Sequence, residues 1–217
     1  MTEQPLYAIT ITRQFGCGGA YLGQRLASRY GFLYADRDIL HRAAQELGEE
    51  DDVLAMRDER LSSFWEALME DIAAGAGEML YSPPPLHIPS DMELFRIESD
   101  IIRRLARQQS VVIVGHGGCQ ILREHPHHAS VFLHASAEFR TRRVQEVYRL
   151  GMHEARELIE TRDRTRARYI HTMTGCEWQD IRNYQLGLDV GVTGLNAAEN
   201  VLVTFLQARF PDTAVFS

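Results

Sequence analysis

The sequence has no long apolar run. Its apolar stretches are as short as Val111-Val112-Ile113-Val114, far below the roughly 20 residues that a helical membrane span needs, so no membrane partner is expected. The opening residues, Met1-Thr2-Glu3-Gln4-Pro5, carry neither the basic start nor the apolar stretch of a secretory signal, and a cytoplasmic protein is expected. Positive charge is not in excess either. A net charge of −7 argues against a nucleic-acid polymer held through its phosphate backbone. Cysteine is scarce: the three residues Cys17, Cys119 and Cys176 lie far apart and form no Cys-x-x-Cys pair, which excludes a disulfide framework and a zinc cluster. Internal repeats and low-complexity tracts are absent as well.

What remains is an ordinary globular composition, 45% hydrophobic and 24% charged, read as a single domain over residues 1–217. The charge is unevenly spread, acidic over 46–59 and rich in arginine over 140–168, which suggests a local anion site on a chain that is acidic elsewhere. The β-branched run in 6–12 predicts a buried first strand that runs straight into Gly16-Cys17-Gly18-Gly19. Leu22, Leu26, Ala27 and Tyr30 then fall at helical spacing, with Gly31 as the stop. A short strand over 32–35 delivers Asp36-Arg37-Asp38, followed by an amphipathic helix from Ile39 to Leu47. Residues 49–92 read as an insertion that covers a site, with a helix over 61–72. Further on, the spacing predicts a helix over 92–107, strands over 111–114, 130–134 and 186–192, and helices over 137–150, 154–160 and 196–210. A second glycine turn, Gly115-His116-Gly117-Gly118, follows the strand at 111–114. This alternation predicts a three-layer α/β/α arrangement around a mostly parallel five-stranded sheet. In such sheets ligands bind beyond the carboxyl ends of the strands, where both glycine turns and Asp36 to Asp38 would gather.

Each motif has two readings on its own. Glycines between a strand and a helix either cradle phosphate on backbone N–H groups or merely make a tight turn. In the segment Arg13-Gln14-Phe15-Gly16-Cys17-Gly18-Gly19-Ala20, Gly19 stands where the GxxxxGK[ST] pattern has lysine and Ala20 where it has the hydroxyl. Arg162, Arg164, Arg166 and Arg168 alternate: on an irregular lid they would converge on phosphate, and on a helix they would spread and pair with Glu157 and Glu160. Asp36 either contacts a substrate or caps the next helix. The cluster His125, His127 and His128, broken by Pro126, reads as a surface loop and not as a metal site. Trp65 and Trp178 read as packing groups. Cys17, beside a helix N-terminus, is expected to ionise readily.

The order Ile9-Thr10-Ile11-Thr12-Arg13-Gln14-Phe15-Gly16-Cys17-Gly18-Gly19 resembles the start of the cytidylate kinase-like family. The resemblance continues through Tyr34, Asp36 and Arg37, Val112 to Gly115, Val131 to Glu138, Arg162-Asp163, Arg168-Tyr169, Thr174-Gly175, Trp178 and Tyr184, so that it covers about residues 7 to 207. Val114 stands where ordinary cytidylate kinases have aspartate, and His116 where the family has arginine. The resemblance implies a P-loop nucleoside monophosphate kinase fold acting on small-molecule nucleotides, with ATP and magnesium, CMP or dCMP as acceptor, and an arginine-rich lid over 160–182. The implied contacts to the ATP phosphates are Arg13, Gly16, Cys17, Gly18, Gly19 and Ala20, with Arg13 taking over part of the missing lysine's work. Those to the acceptor are Asp36, Arg37, His116 and Asp163. Arg162, Arg166 and Arg168 are expected to stabilise the moving phosphoryl group, no metal ligand is assigned, and no general base is apparent. Two other readings stand beside this one: a nucleotide-binding protein without turnover, and a kinase of another small metabolite.

Overall fold

The computed structural model describes residues 5–36, 91–211 and 213–216. Five strands, β1 (Ala8–Arg13), β2 (Leu33–Ala35), β3 (Val111–Val114), β4 (His128–His134) and β5 (Leu186–Asp189), form one sheet in the order β2-β3-β1-β4-β5. Every neighbouring pair is parallel. Around them lie α1 (Gly19–Tyr30), α2 (Asp91–Gln108), α3 (Gly118–Ile121), α4 (Ala137–Tyr148), α5 (Met152–Thr174) and α6 (Val190–Arg209).

The two-residue period of the strands decides which layer each side chain joins. Ile9, Ile11, Val112, Val114, Val131 and Leu133 face one side, where Leu22 and Leu26 of α1 and Leu202 and Leu206 of α6 cover them. Ala8, Val111 and Ile113 face the other, under Ile101, Ile102 and Ala106 of α2. Burial on both faces explains why the central strands read as continuous apolar runs. Because β3 and β4 flank β1, the loops that leave β1 and β3 emerge side by side at the carboxyl edge.

Two expectations change and one alternative is decided. Of the two readings of the arginine-rich stretch the helical one holds: residues 152 to 174 form one continuous helix of 23 residues, closed by Gly175 in the left-handed region. His128 is no surface-loop residue. It opens β4, only 4% exposed, and its Nε2 lies 2.8 Å from Thr10 Oγ1 of β1. The last strand ends at Asp189, whose side chain accepts from the amides of Gly191 and Val192 and so starts α6 early; that helix kinks at Gly194. Trp178 does pack, 3% exposed and edge-on to Phe132. The helices expected at 39–47 and 61–72, Trp65, Arg37 and nearly all of the insertion lie outside the described residues. Among the described residues no helix is long and apolar enough to cross a membrane.

Candidate functional site

A cleft of about 600 Å³ opens at the carboxyl edge of the sheet. Its floor is the loop from β1 to α1 and the turn after β3, and its walls are α4 and α5. The loop is pinned at several points. Gln14 N donates to Leu133 O (3.0 Å), Gln14 Oε1 accepts from Ala135 N (3.2 Å), and Phe15 N donates to Asp163 Oδ1 (2.7 Å). Gly18 caps α1 in the left-handed region, and the first turn of α1 carries neither a side-chain cap nor an acidic residue. The N-terminal amides and the positive end of the helix dipole are therefore not answered by any local carboxylate.

Arg13 explains why the lysine position is glycine. A Cβ on Gly19 would stand 2.8 Å from Arg13 Cγ and 3.2 Å from its Cβ and Cδ, and a Cβ on Gly115 would overlap Arg13 Nη1. The arginine stem thus lies against the first residue of α1, and its guanidinium reaches the second glycine turn. The space that a side chain at position 19 would enter is filled by a cation from the end of β1. All 23 lysine-plus-arginine residues of the chain are in fact arginine.

From α5, Arg162 and Arg166 face inward, one helical turn apart. Arg166 Nη1 donates to Arg13 O (2.9 Å) and to Asp163 Oδ1 (3.2 Å), and its guanidinium lies over the Trp178 ring at 5.5 Å. Arg162 Cζ lies 5.9 Å from the Phe15 ring. Arg168 is exposed and reaches only the rim of the cleft, while Arg164 is exposed and outside it. Asp163, expected at the acceptor, does not line the cleft. It accepts from Phe15 N, from Arg166 and from Arg140 Nη1 (2.6 Å), which makes it the brace between the loop and two helices. Asp36 is half-buried at the end of β2 and also lies off the cleft wall.

Burial and like charge oppose one another's relief here. Burial lowers the Arg13 pKa although Tyr34, Asp36 and Asp163 pull it back up. Arg166 is pushed down to about 9, first by burial and then by the charge of Arg13. Two neighbouring guanidiniums held in this way make a site that an anion would stabilise. Cys17 differs from expectation. Its side chain is fully buried, and burial pushes its thiol up to about 12, which outweighs the helix terminus.

The second turn holds three consecutive left-handed residues, Gly115 (φ 90°), His116 (φ 57°) and Gly117 (φ 66°). His116 Nδ1 is hydrogen-bonded to Glu98 Oε1 of α2, and Tyr169 Oη of α5 donates to Glu98 Oε2 at 2.5 Å. Glu98 escaped the sequence reading, and Tyr169, Arg140 and Arg143 entered it without a site role. The only local signal for Glu98 was a carboxylate at an inward position of α2, and nothing local ties it to His116. Ala20 offers no oxygen to magnesium, and among the described residues no group of three or more His, Cys, Asp or Glu side chains could hold a metal. Among the described residues the cleft offers such an ion no cluster of protein ligands, so the nucleotide's own phosphates and water would be its main ligands.

Residues 8–191 match the model of the cytidylate kinase-like family. No curated protein matches the chain. Among solved structures, an uncharacterized protein from Eubacterium ventriosum is 20% identical with a TM-score of 0.69, over 94% of this chain and 99% of that one. A gluconokinase from Sinorhizobium meliloti is 17% identical with a TM-score of 0.54, over 97% and 99%. The protein TT1252 from Thermus thermophilus is 18% identical with a TM-score of 0.52, over 94% and 98%. At these identities the likeness is one of fold.

Proposed function

The chain belongs to the cytidylate kinase-like family, and from that premise we propose that it is an ATP-dependent phosphotransferase. One observation supports this most directly: the glycine loop, Arg13 and the inward arginines of α5 face a single cleft. ATP would rest its outer phosphates on the amides of residues 16–20, under the guanidinium of Arg13. A smaller recess of about 380 Å³, lined by Tyr21, Phe139, Arg142, Arg143, Leu195 and Asn196, adjoins the same loop and would take the base. Phosphoryl transfer asks a protein mainly for positioning and for positive charge at the equatorial oxygens. Arg162 and Arg166 supply that charge from the wall and Arg168 from the rim. In this reading Asp163 is a positioning residue and does not touch the acceptor. Magnesium, which kinases of this kind generally use, would travel on the phosphates.

CMP and dCMP are the acceptors that the family name implies and are the first to try. The test is a calorimetric titration of ATP, followed by ADP release across a panel of nucleoside monophosphates and small alcohols. ATP binding with transfer to one acceptor is the expected result. ATP binding without any turnover would favour a nucleotide-binding protein that no longer transfers, and no ATP binding would end the proposal.

A further inference from the structure

We propose that Arg143 of α4 is a second phosphate-binding residue of the donor site, and that it holds the phosphate next to the nucleoside while Arg13 serves the outer ones. This inference rests on the phosphotransferase reading and deepens it. Tyr21 and Arg143 line both the cleft and the smaller recess beside it, and only Arg143 of the two is a cation. A Cβ on Gly18 would stand 3.4 Å from Arg143 Nε and 2.7 Å from Leu195 Cδ2. The guanidinium group therefore lies against the phosphate loop at the residue that caps α1, where the unanswered amides of that helix begin. Leu195, from α6, fills the rest of the space between loop and recess.

The two cations adjoin different parts of the loop. Arg13 packs its stem against Gly19 and its tip against Gly115 of the turn after β3, and it does not line the recess. Arg143 stands at Gly18, beside the recess. A nucleotide with its base in the recess and its phosphates along the loop would thus meet Arg143 first and Arg13 last. The other arginines of this region have different places. Arg142 lines only the recess, and Arg162 and Arg168 line only the cleft. Arg140 is committed to Asp163 and to the carbonyls of Phe15 and Ala135, and Arg166 to Arg13 O and Asp163.

Arg143 itself makes no hydrogen bond or ion pair among the described residues, although Glu146 follows at a spacing of three, at which helical charges commonly pair. A guanidinium in that position offers a phosphate two parallel N–H donors and a permanent charge. The phosphate next to the nucleoside takes no part in the bonds that form and break during transfer. Its contact is the same before and during the reaction, so Arg143 acts on donor binding and sets where the outer phosphates arrive. Donor affinity can be measured without knowing the acceptor.

The test is calorimetric titration of ADP, ATP and inorganic tripolyphosphate, with magnesium in excess, into the full-length protein and into Arg143→Gln, Arg143→Lys and Arg13→Ala, each followed by a melting curve. Arg143→Gln is expected to weaken ADP and ATP by the same factor, about ten- to a hundredfold, and so to keep their ratio. Tripolyphosphate, which has phosphates but no base, should weaken as well. Arg143→Lys keeps the charge without the fork and should recover part of the loss. Arg13→Ala should instead cost ATP more than ADP. Nucleotides weakened with tripolyphosphate unchanged would assign Arg143 to the base, and ATP weakened far more than ADP would assign it to the terminal phosphate. Either result overturns the inference and leaves the phosphotransferase reading standing, as would unchanged affinities in a folded Arg143→Gln protein. Failure of the unaltered protein to bind ATP would end both readings.

Discussion

Moving the lysine back to its usual place should fail unless Arg13 is removed. Gly19 has no positive φ, so the backbone would accept Gly19→Lys, and only the Arg13 stem, 2.8 Å from the incoming Cβ, stands in the way. That stem cannot simply swing aside, since its tip is wedged against Gly115 and burial surrounds it. Forcing a side chain into such a space costs about 1–3 kcal/mol. Arg13→Ala should melt at nearly the unaltered temperature but lose one charge-assisted phosphate contact, about 1.5–3 kcal/mol, or roughly ten- to a hundredfold in ATP affinity. The double variant should recover both stability and affinity, with a coupling of at least about 1 kcal/mol between the two positions. Melting curves and calorimetric titrations on the four proteins close the cycle. The introduced lysine would be the only one in the chain, so acylation of its amine, slowed by ATP, reports where it points. If Gly19→Lys alone binds ATP more tightly at an unchanged melting temperature, the two cations coexist and Arg13 does not occupy the lysine's place. Unchanged ATP affinity in a folded Arg13→Ala protein would show that Arg13 only braces the turn.

Removing the shared carboxylate with Asp163→Ala leaves Arg140 and Arg166 buried without their counter-ion and should cost about 3–5 kcal/mol in urea denaturation; a loss of about 0.5 kcal/mol would mark the bridge as surface-like. His128 should make the fold acid-sensitive, because burial lowers its pKa from 6.5 to about 4. Between those values the unfolded chain binds a proton that the folded one does not, so stability is complete above about pH 6.5 and falls as pH drops towards 4, by about 3 kcal/mol at roughly 1.4 kcal/mol per pH unit. His128→Gln should flatten that fall in denaturant midpoints, and an identical slope would contradict the assignment. Alkylation at pH 8 should modify the half-exposed Cys176 well before the buried Cys17; equal rates by mass spectrometry would mean that the loop opens freely.

The sequence alone determined the layering of this protein. Runs such as Val111 to Val114 are apolar because central parallel strands are covered on both faces, and the period of α1 follows from one buried stripe, so both could be read locally. The meeting of two glycine turns at one edge also followed, because the order of alternating elements places strand ends together. Local pattern left the arginines open between a lid and a helix, since alternation says nothing about whether a stretch coils or joins a long helix. On α5 the spacing of four between Arg162 and Arg166 brings those two inward and sends Arg164 out. His128 looked exposed because its neighbours are polar, yet pairing with β1 buries it. The remaining features belong to the tertiary structure only. Glycine at position 19 is a consequence of where the Arg13 side chain lies, Asp163 becomes a brace because Phe15 and Arg140 converge on it, and the environment of His116 is made by Glu98 and Tyr169, 18 residues before it and 53 after it. Such contacts depend on how helices pack across the sheet edge, and no spacing along a single chain encodes them.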